Sequence, residues 1–149
     1  VFISSHNSAR AVKGMSYNHA AKAGLIDTVA TDHCPFQSYE KDWGKDDFTK
    51  IPNGCAGIEN LYPYMLDAAN SGKITFERAV EVCSTNPAKI FGCDSKGAIE
   101  VGKDADIVIY DKDKDFTVSV NNMHSDCDHT IWEGKRLSCS DIFKRQPCL

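Results

Sequence analysis

The stretch from Leu25 to Ala30 constrains the chain most: it is apolar, rich in β-branched residues and too short to favour a helix. Such a run reads as a buried parallel strand, and a parallel strand needs crossover helices, so an α/β organisation follows. The run stops at Thr31, Asp32, His33, Cys34 and Pro35, which sets an acid, an imidazole and a thiol side by side. In parallel sheets, ligands collect at the carboxyl ends of strands, where loops and their side chains converge. Asp32 there has two readings. It is a turn-forming or capping Asp, or it is a carboxylate that binds a metal and carries a proton to and from a metal-activated water. Spacing alone leaves both open. His33 reads as a structural imidazole or a ligand, and Cys34 as a small packed thiol, since no local base would activate it.

Periodicity outlines the remainder. Val12 to Gly24 is weakly helical, with Ala20, Ala21 and Ala23 as good formers and Gly24 as its stop. Residues 36–57 carry Gly44, Pro52, Gly54, Gly57 and many charges without sustained period, which predicts a long loop. Loops beyond about 12 to 15 residues in compact domains are usually functional or disordered. Ile58, Leu61, Tyr62, Met65, Leu66 and Ala69 recur at three-and-four spacing and predict a helix over 58–69. Thr75 caps a second helix reaching about Ser84, with Ala79, Val80, Val82 and Cys83 buried. Asn86 as cap, Pro87 at the first position and Gly92 as stop predict a third, very short helix. Past residue 95, glycines and acids punctuate a β-like pattern. Ile107–Tyr110 is a strand there, and Val118–Val120, His129–Trp132 and Arg136–Ser138 are weaker candidates, the last two joined across Glu133 and Gly134.

Composition excludes several classes. With 149 residues, 42% of them apolar and 26% charged, the chain suits one ordinary domain. A net charge of −4 and the lack of a long Lys/Arg run argue against nucleic acid as a partner. No apolar stretch approaches the roughly 20 residues that span a bilayer, so no membrane partner is expected and the chain reads as cytoplasmic. The seven cysteines are odd in number and irregular in spacing, which predicts free thiols, and no Cys-x-x-Cys pair suggests a structural zinc site.

The loop segment GKDDFTKIPNG, residues 44–54, is the second candidate site. Its charges at Lys45, Asp46, Asp47 and Lys50 fit a merely solvated loop. Pro52 restricts the backbone before it, however, and Gly54 permits a positive φ, so the Asn53 backbone can be held outward. Its N–H and C=O would then suit a cyclic amide or imide, whose ring alternates the same groups.

Taken together, IDTVATDHCPF, GKDDFTKIPNG, NPAKIFG and KGAIEVGKDADIVIYD, in this order and spacing, resemble the C-terminal portion of cyclic amidohydrolases of the dihydropyrimidinase and D-hydantoinase group. The similarity runs over residues 25–135. The related dihydroorotases and allantoinases share the strand-end Asp-His but not the KDDFTKIPNG loop. The resemblance implies an α/β fold, the C-terminal part of a metal-dependent amidohydrolase (β/α)₈ barrel with strands of a small β-sandwich. Residues 1–95 would hold the last barrel strand and its following helices, and residues 96–149 the sandwich segment and C-terminal tail. The implied activity is hydrolysis of the cyclic amide bond of dihydropyrimidines or 5-substituted hydantoins, with two Zn²⁺ ions per active site. In that scheme Asp32 is a metal ligand and the catalytic proton carrier, and the Asn53 backbone contacts the substrate ring. Ser5 stands where the family has a substrate-contacting Ser, although its neighbours differ from the family's segment. The parent enzyme would be a homotetramer acting on a small cyclic amide or imide.

The His-x-His pair, the carboxylated lysine and the two further histidines of that family have no counterparts in this sequence. The chain therefore reads as an incomplete C-terminal fragment, inactive alone. The alternative is a non-catalytic relative of the collapsin response mediator type, a scaffold or interaction protein. In those the strand-end Asp and loop Asn are replaced, whereas Asp32 and Asn53 are both present here.

Overall fold

The computed structural model describes residues 17–138 and 140–145, so Ser5 and the start of the first expected helix lie outside the described residues. Helix α1 spans Tyr17–Lys22. It ends as the alanines and Gly24 predict: Gly24 takes φ +72°, its N–H donates to the Ala21 carbonyl at 3.2 Å, and Leu25 N–H donates to Ala20 O at 3.0 Å. This paired closure satisfies carbonyls that the helix end would otherwise leave without donors.

Residues 25–30 correct the strand expectation. Ile26 and Val29 are buried, as a core strand requires, and Ala30 makes an isolated β-bridge, but among the described residues no ladder forms on this run. The partner strands of a parallel ladder must come from other chain segments, and helices tether the run instead. Val29 N–H donates to Val82 O at 3.3 Å, Asn86 Nδ2 donates to Asp27 O at 3.0 Å, and the Arg78 guanidinium donates to Ala21 O at 2.7 Å and to Ile26 O.

The expected long loop contains short helical turns. Helix α2 (Ser38–Lys41) leads into 3₁₀ turns at Asp42–Gly44 and Phe48–Lys50. Local polar bonds build them, which is why no hydrophobic period announced them. Asp47 accepts from Thr49 N at 3.1 Å and from Thr49 Oγ1 at 2.6 Å, and those bonds hold its carboxyl below the usual range.

Helix α3 runs Ile58–Asn70, close to expectation, and buries Met65, Leu66 and Ala69. Ile58 instead lies exposed, with Asn60 buried in that first turn. Helix α4 (Phe76–Val80) starts on Thr75, whose Oγ1 accepts from Arg78 N at 3.1 Å. It continues without a break through a π turn (Glu81–Thr85) into helix α5, Asn86–Ile90. Asn86 is therefore not a cap. Pro87 lacks the N–H that would reach the Cys83 carbonyl, and the wider π turn lies over that gap. Ala79 and Val82 are buried as expected, but Val80 is exposed. Burial pushes the Cys83 thiol up to about 12, so it packs as a neutral group.

Ala20, Ile26, Val29, Met65, Ala68, Ala79 and Val82 share one core that unites α1, the 25–30 run, α3 and α4. The region past residue 95 contributes short antiparallel pairs. Strand β1 (Asp106–Asp111) pairs with β4 (Ser140–Arg145), and β2 (Phe116–Thr117) pairs with β3 (Arg136–Leu137). Val118 is fully buried but lies outside β2, and Val120 opens a 3₁₀ turn, Val120–Asn122. His129–Trp132 is not a strand. Thr130 folds it locally, accepting from Trp132 N at its hydroxyl and from Glu133 N at its carbonyl, both at 3.3 Å. Val118 N–H takes the Lys135 carbonyl at 2.9 Å in place of the expected hairpin partner.

This region is fastened to α3. Asp67 Oδ1 accepts from Ser138 N at 3.0 Å and Ser138 Oγ at 2.8 Å, and the rings of Tyr64 and Trp132 meet at 4.8 Å. Burial works against ionisation of Glu59, but the backbone N–H groups of His124 (2.9 Å) and Ser125 (2.8 Å) and the His124 ring outweigh it. Its carboxyl therefore sits below the usual range. Cys34, Cys55, Cys83, Cys93 and Cys127 are free thiols, as the irregular spacing predicted. No helix among the described residues is long and apolar enough to cross a membrane.

Candidate active site

The chain turns sharply at Asp32, which takes φ +52° and is the non-glycine residue with positive φ among those described. Asp tolerates this left-handed region better than most residues, and such outliers gather at functional positions. Its side chain is exposed and accepts no hydrogen bond from a described residue.

The turn is stabilised from across the loop. His33 forms a parallel bridge with Cys55: Cys34 N–H donates to Cys55 O and Cys55 N–H donates to Asp32 O, both at 3.3 Å. Gly54, at φ +84°, lies so close that a Cβ there would come within 2.5 Å of Asp32 O and 2.8 Å of Cys34 Sγ. Only glycine fits both the conformation and the space. Asp32 and Asn53, twenty-one residues apart in sequence, are thus brought to adjoining segments by two backbone hydrogen bonds. Asn53 is exposed, and no described residue bonds its N–H or C=O.

His33 resolves as a structural imidazole. Its Nδ1 accepts the Gly57 N–H at 3.2 Å, which places the ring proton on Nε2 and links the Asp32 turn to the start of α3. On that side a cleft of about 900 Å³ opens, lined by His33, Pro35, Glu59, Tyr62, Phe116 and Met123 among others. Asp32 and Asn53 do not line it.

Residues that sequence reasoning passed over support the loop. Lys41 Nζ donates to the carbonyls of Pro52 and of Gly54, the latter at 2.6 Å, and lies 5.2 Å from the centre of the Phe36 ring. The start of α2 is in turn held by Asp128, which accepts from Ser38 Oγ at 2.5 Å and Ser38 N at 2.8 Å. Those bonds, the Ser38 hydroxyl first, together with His129, hold the Asp128 carboxyl down to about 2. Lys41 stood in the sequence as one charge among many, with no spacing signal to single it out.

A metal centre can draw only part of its ligands from these residues. Among the described residues no group of three or more His, Cys, Asp or Glu side chains is placed to hold a metal ion. Zinc takes about four ligands, so Asp32, whose carboxylate oxygens accept no bond from a described residue, can contribute one but cannot hold an ion alone.

Residues 3–137 match the sequence model of the Amidohydrolase family. A D-hydantoinase from Rhizobium radiobacter is 37% identical over 122 residues, covering 80% of this chain and 26% of that protein. A dihydroorotase from Halobacterium salinarum is 40% identical over 111 residues, covering 74% of this chain and 26% of that protein. The crystal structure of a dihydropyrimidinase from Brevibacillus agri superposes with a TM-score of 0.81 at 39% identity, covering 86% of this chain and 29% of that one. The chain thus spans about a quarter of the length of the curated relatives it matches. A match over most of its residues, at this identity and with this agreement of backbone, assigns it: the chain belongs to the amidohydrolase family.

Proposed function

We propose that the protein carrying this chain is a cyclic amidohydrolase that opens the ring of a dihydropyrimidine or a 5-substituted hydantoin. The observation that carries this reading is the joining of Asp32 and the Asn53 loop. An exposed carboxylate on a left-handed turn lies on a segment bonded to the loop whose Asn53 N–H and C=O have no partner among the described residues. The relatives named D-hydantoinase, dihydroorotase and dihydropyrimidinase support a cyclic amide as the substrate class.

In this reading residues 1–95 supply the last strand and following helices of a (β/α)₈ barrel, and residues 96–149 part of a small β-sandwich. The assembled enzyme is a homotetramer, and Ser5 adds a substrate contact. Two zinc ions, with Asp32 as one ligand and the others from outside the described residues, would supply an activated water and polarise the ring carbonyl. Asp32 takes the proton that water releases and returns it to the ring nitrogen as the C–N bond breaks. Its exposure leaves lone pairs free for that transfer. The Asn53 N–H and C=O hold the ring by its alternating amide groups, so the scissile carbonyl faces the carboxylate.

The test is metal analysis and ring opening on the full-length protein that carries this chain. About two zinc ions per subunit and hydrolysis of dihydrouracil or a hydantoin are expected. A protein that binds no zinc and opens neither ring contradicts the reading and fits a non-catalytic scaffold.

A further inference from the structure

We propose that Lys41 is a positioning residue for ring binding, acting by fixing the Pro52–Asn53 and Gly54–Cys55 peptide planes, which lie on either side of the Asn53–Gly54 peptide. This rests on the reading of Asn53 as a substrate contact. Lys41 Nζ donates to Pro52 O and to Gly54 O at 2.6 Å. In a trans peptide the C=O and the following N–H point in opposite directions. The Pro52 carbonyl shares its peptide with the Asn53 N–H, so an ammonium on that oxygen turns the Asn53 N–H away from Lys41. The Gly54 carbonyl shares its peptide with the Cys55 N–H, and that N–H donates to Asp32 O at 3.3 Å. One cation therefore sets both the ring-facing donor and the plane that connects the loop to Asp32.

The charge adds a second effect. A cation on a carbonyl oxygen draws electron density through the amide and strengthens the N–H at its far end as a donor. A ring carbonyl accepting from Asn53 N–H would meet a polarised, pre-aimed donor. Lys41 itself is fixed by the Phe36 ring, 5.2 Å away, and by α2, whose first residue is held by Asp128 through Ser38. No titratable group other than Lys41 bonds the two carbonyls among the described residues.

The test uses Lys41→Met and Lys41→Arg in the full-length, metal-loaded protein, reading hydrogen exchange of the Cys55 amide, the bonded N–H of this segment, together with kcat and KM. Removing a charge-assisted bond predicts for Lys41→Met a KM raised about tenfold to a hundredfold, with kcat within about threefold and zinc content unchanged. The same variant should exchange the Cys55 amide at least about tenfold faster. Lys41→Arg, which still reaches both carbonyls with a fork of donors, should recover most of both losses. Wild-type exchange and KM in Lys41→Met overturn the proposal, and so does faster exchange with an unchanged KM. If the wild-type protein opens no ring while Lys41→Met still loosens the loop, the functional reading fails and the substrate role falls with it, but the clamp on the loop stands. Should Lys41→Met fail to fold, Lys41→Arg decides alone: a KM that rises as far as the loss of both bonds predicts, with exchange unchanged, overturns the proposal.

Discussion

The backbone N–H of Cys55 donates to the carbonyl oxygen of Asp32 at 3.3 Å, joining the turn after the 25–30 run to a loop more than twenty positions later. That bond, with its companion from Cys34 to Cys55, fixes the turn that carries the exposed Asp32 against the loop that carries Asn53. The chemistry assigned to the site depends on this registry.

Gly54→Ala should break it. The added methyl would lie within 2.5 Å of Asp32 O, at a φ of +84° that an alanine rarely adopts. A loss of about 2–4 kcal/mol in urea unfolding is expected from strain and overlap together. Loss of activity should accompany it, since the loop must move off the turn to make room. Unchanged stability and activity would mean the two segments do not meet as described.

Asp128 makes an acid-range contribution. Its hydrogen bonds from Ser38 depress the carboxyl from 3.8 to about 2 in the folded chain. A depressed folded value stabilises above the unfolded value, and that stability fades as pH falls through the folded one. Between pH 4 and pH 2, approximately, the wild type should therefore lose unfolding temperature that Asp128→Asn, already without it, does not lose. Parallel melting curves for the two across that range would contradict the account.

Arg78→Met tests the tether of the 25–30 run. The Arg78 side chain is only 16% exposed and donates to Ala21 O and Ile26 O. Leaving Ile26 O without this donor, and Ala21 O with the Gly24 N–H alone, should cost about 2–4 kcal/mol by chemical denaturation. A neutral substitution would show that the Arg78 bonds do not hold the run.

How much of this was legible in the sequence differs by the kind of signal. Helix α3 was readable because its apolar residues repeat at helical spacing, and α1 because Gly24 marks its end. The 25–30 run announced burial but not pairing, since a parallel strand takes its partners from distant segments. Asn86 and Pro87 read as a helix start, but tertiary contact won: the Asn86 amide serves Asp27 O and the helix runs on through a π turn. His129–Trp132 carried the composition of a strand, and the Thr130 turn overrode it. Asp32 and Asn53 were legible as residue types in suggestive places. Their proximity, the left-handed Asp32 backbone and the Lys41 clamp were not, because each depends on contacts between segments that no local period records.

Asp32→Asn, measured as kcat/KM for ring opening by the full-length enzyme, tests the central claim most directly. The amide keeps the size of the carboxylate and removes its ability to carry a proton. The account predicts a loss of about three to four orders of magnitude with the fold retained. Activity within about tenfold of wild type, with zinc still bound, would contradict it.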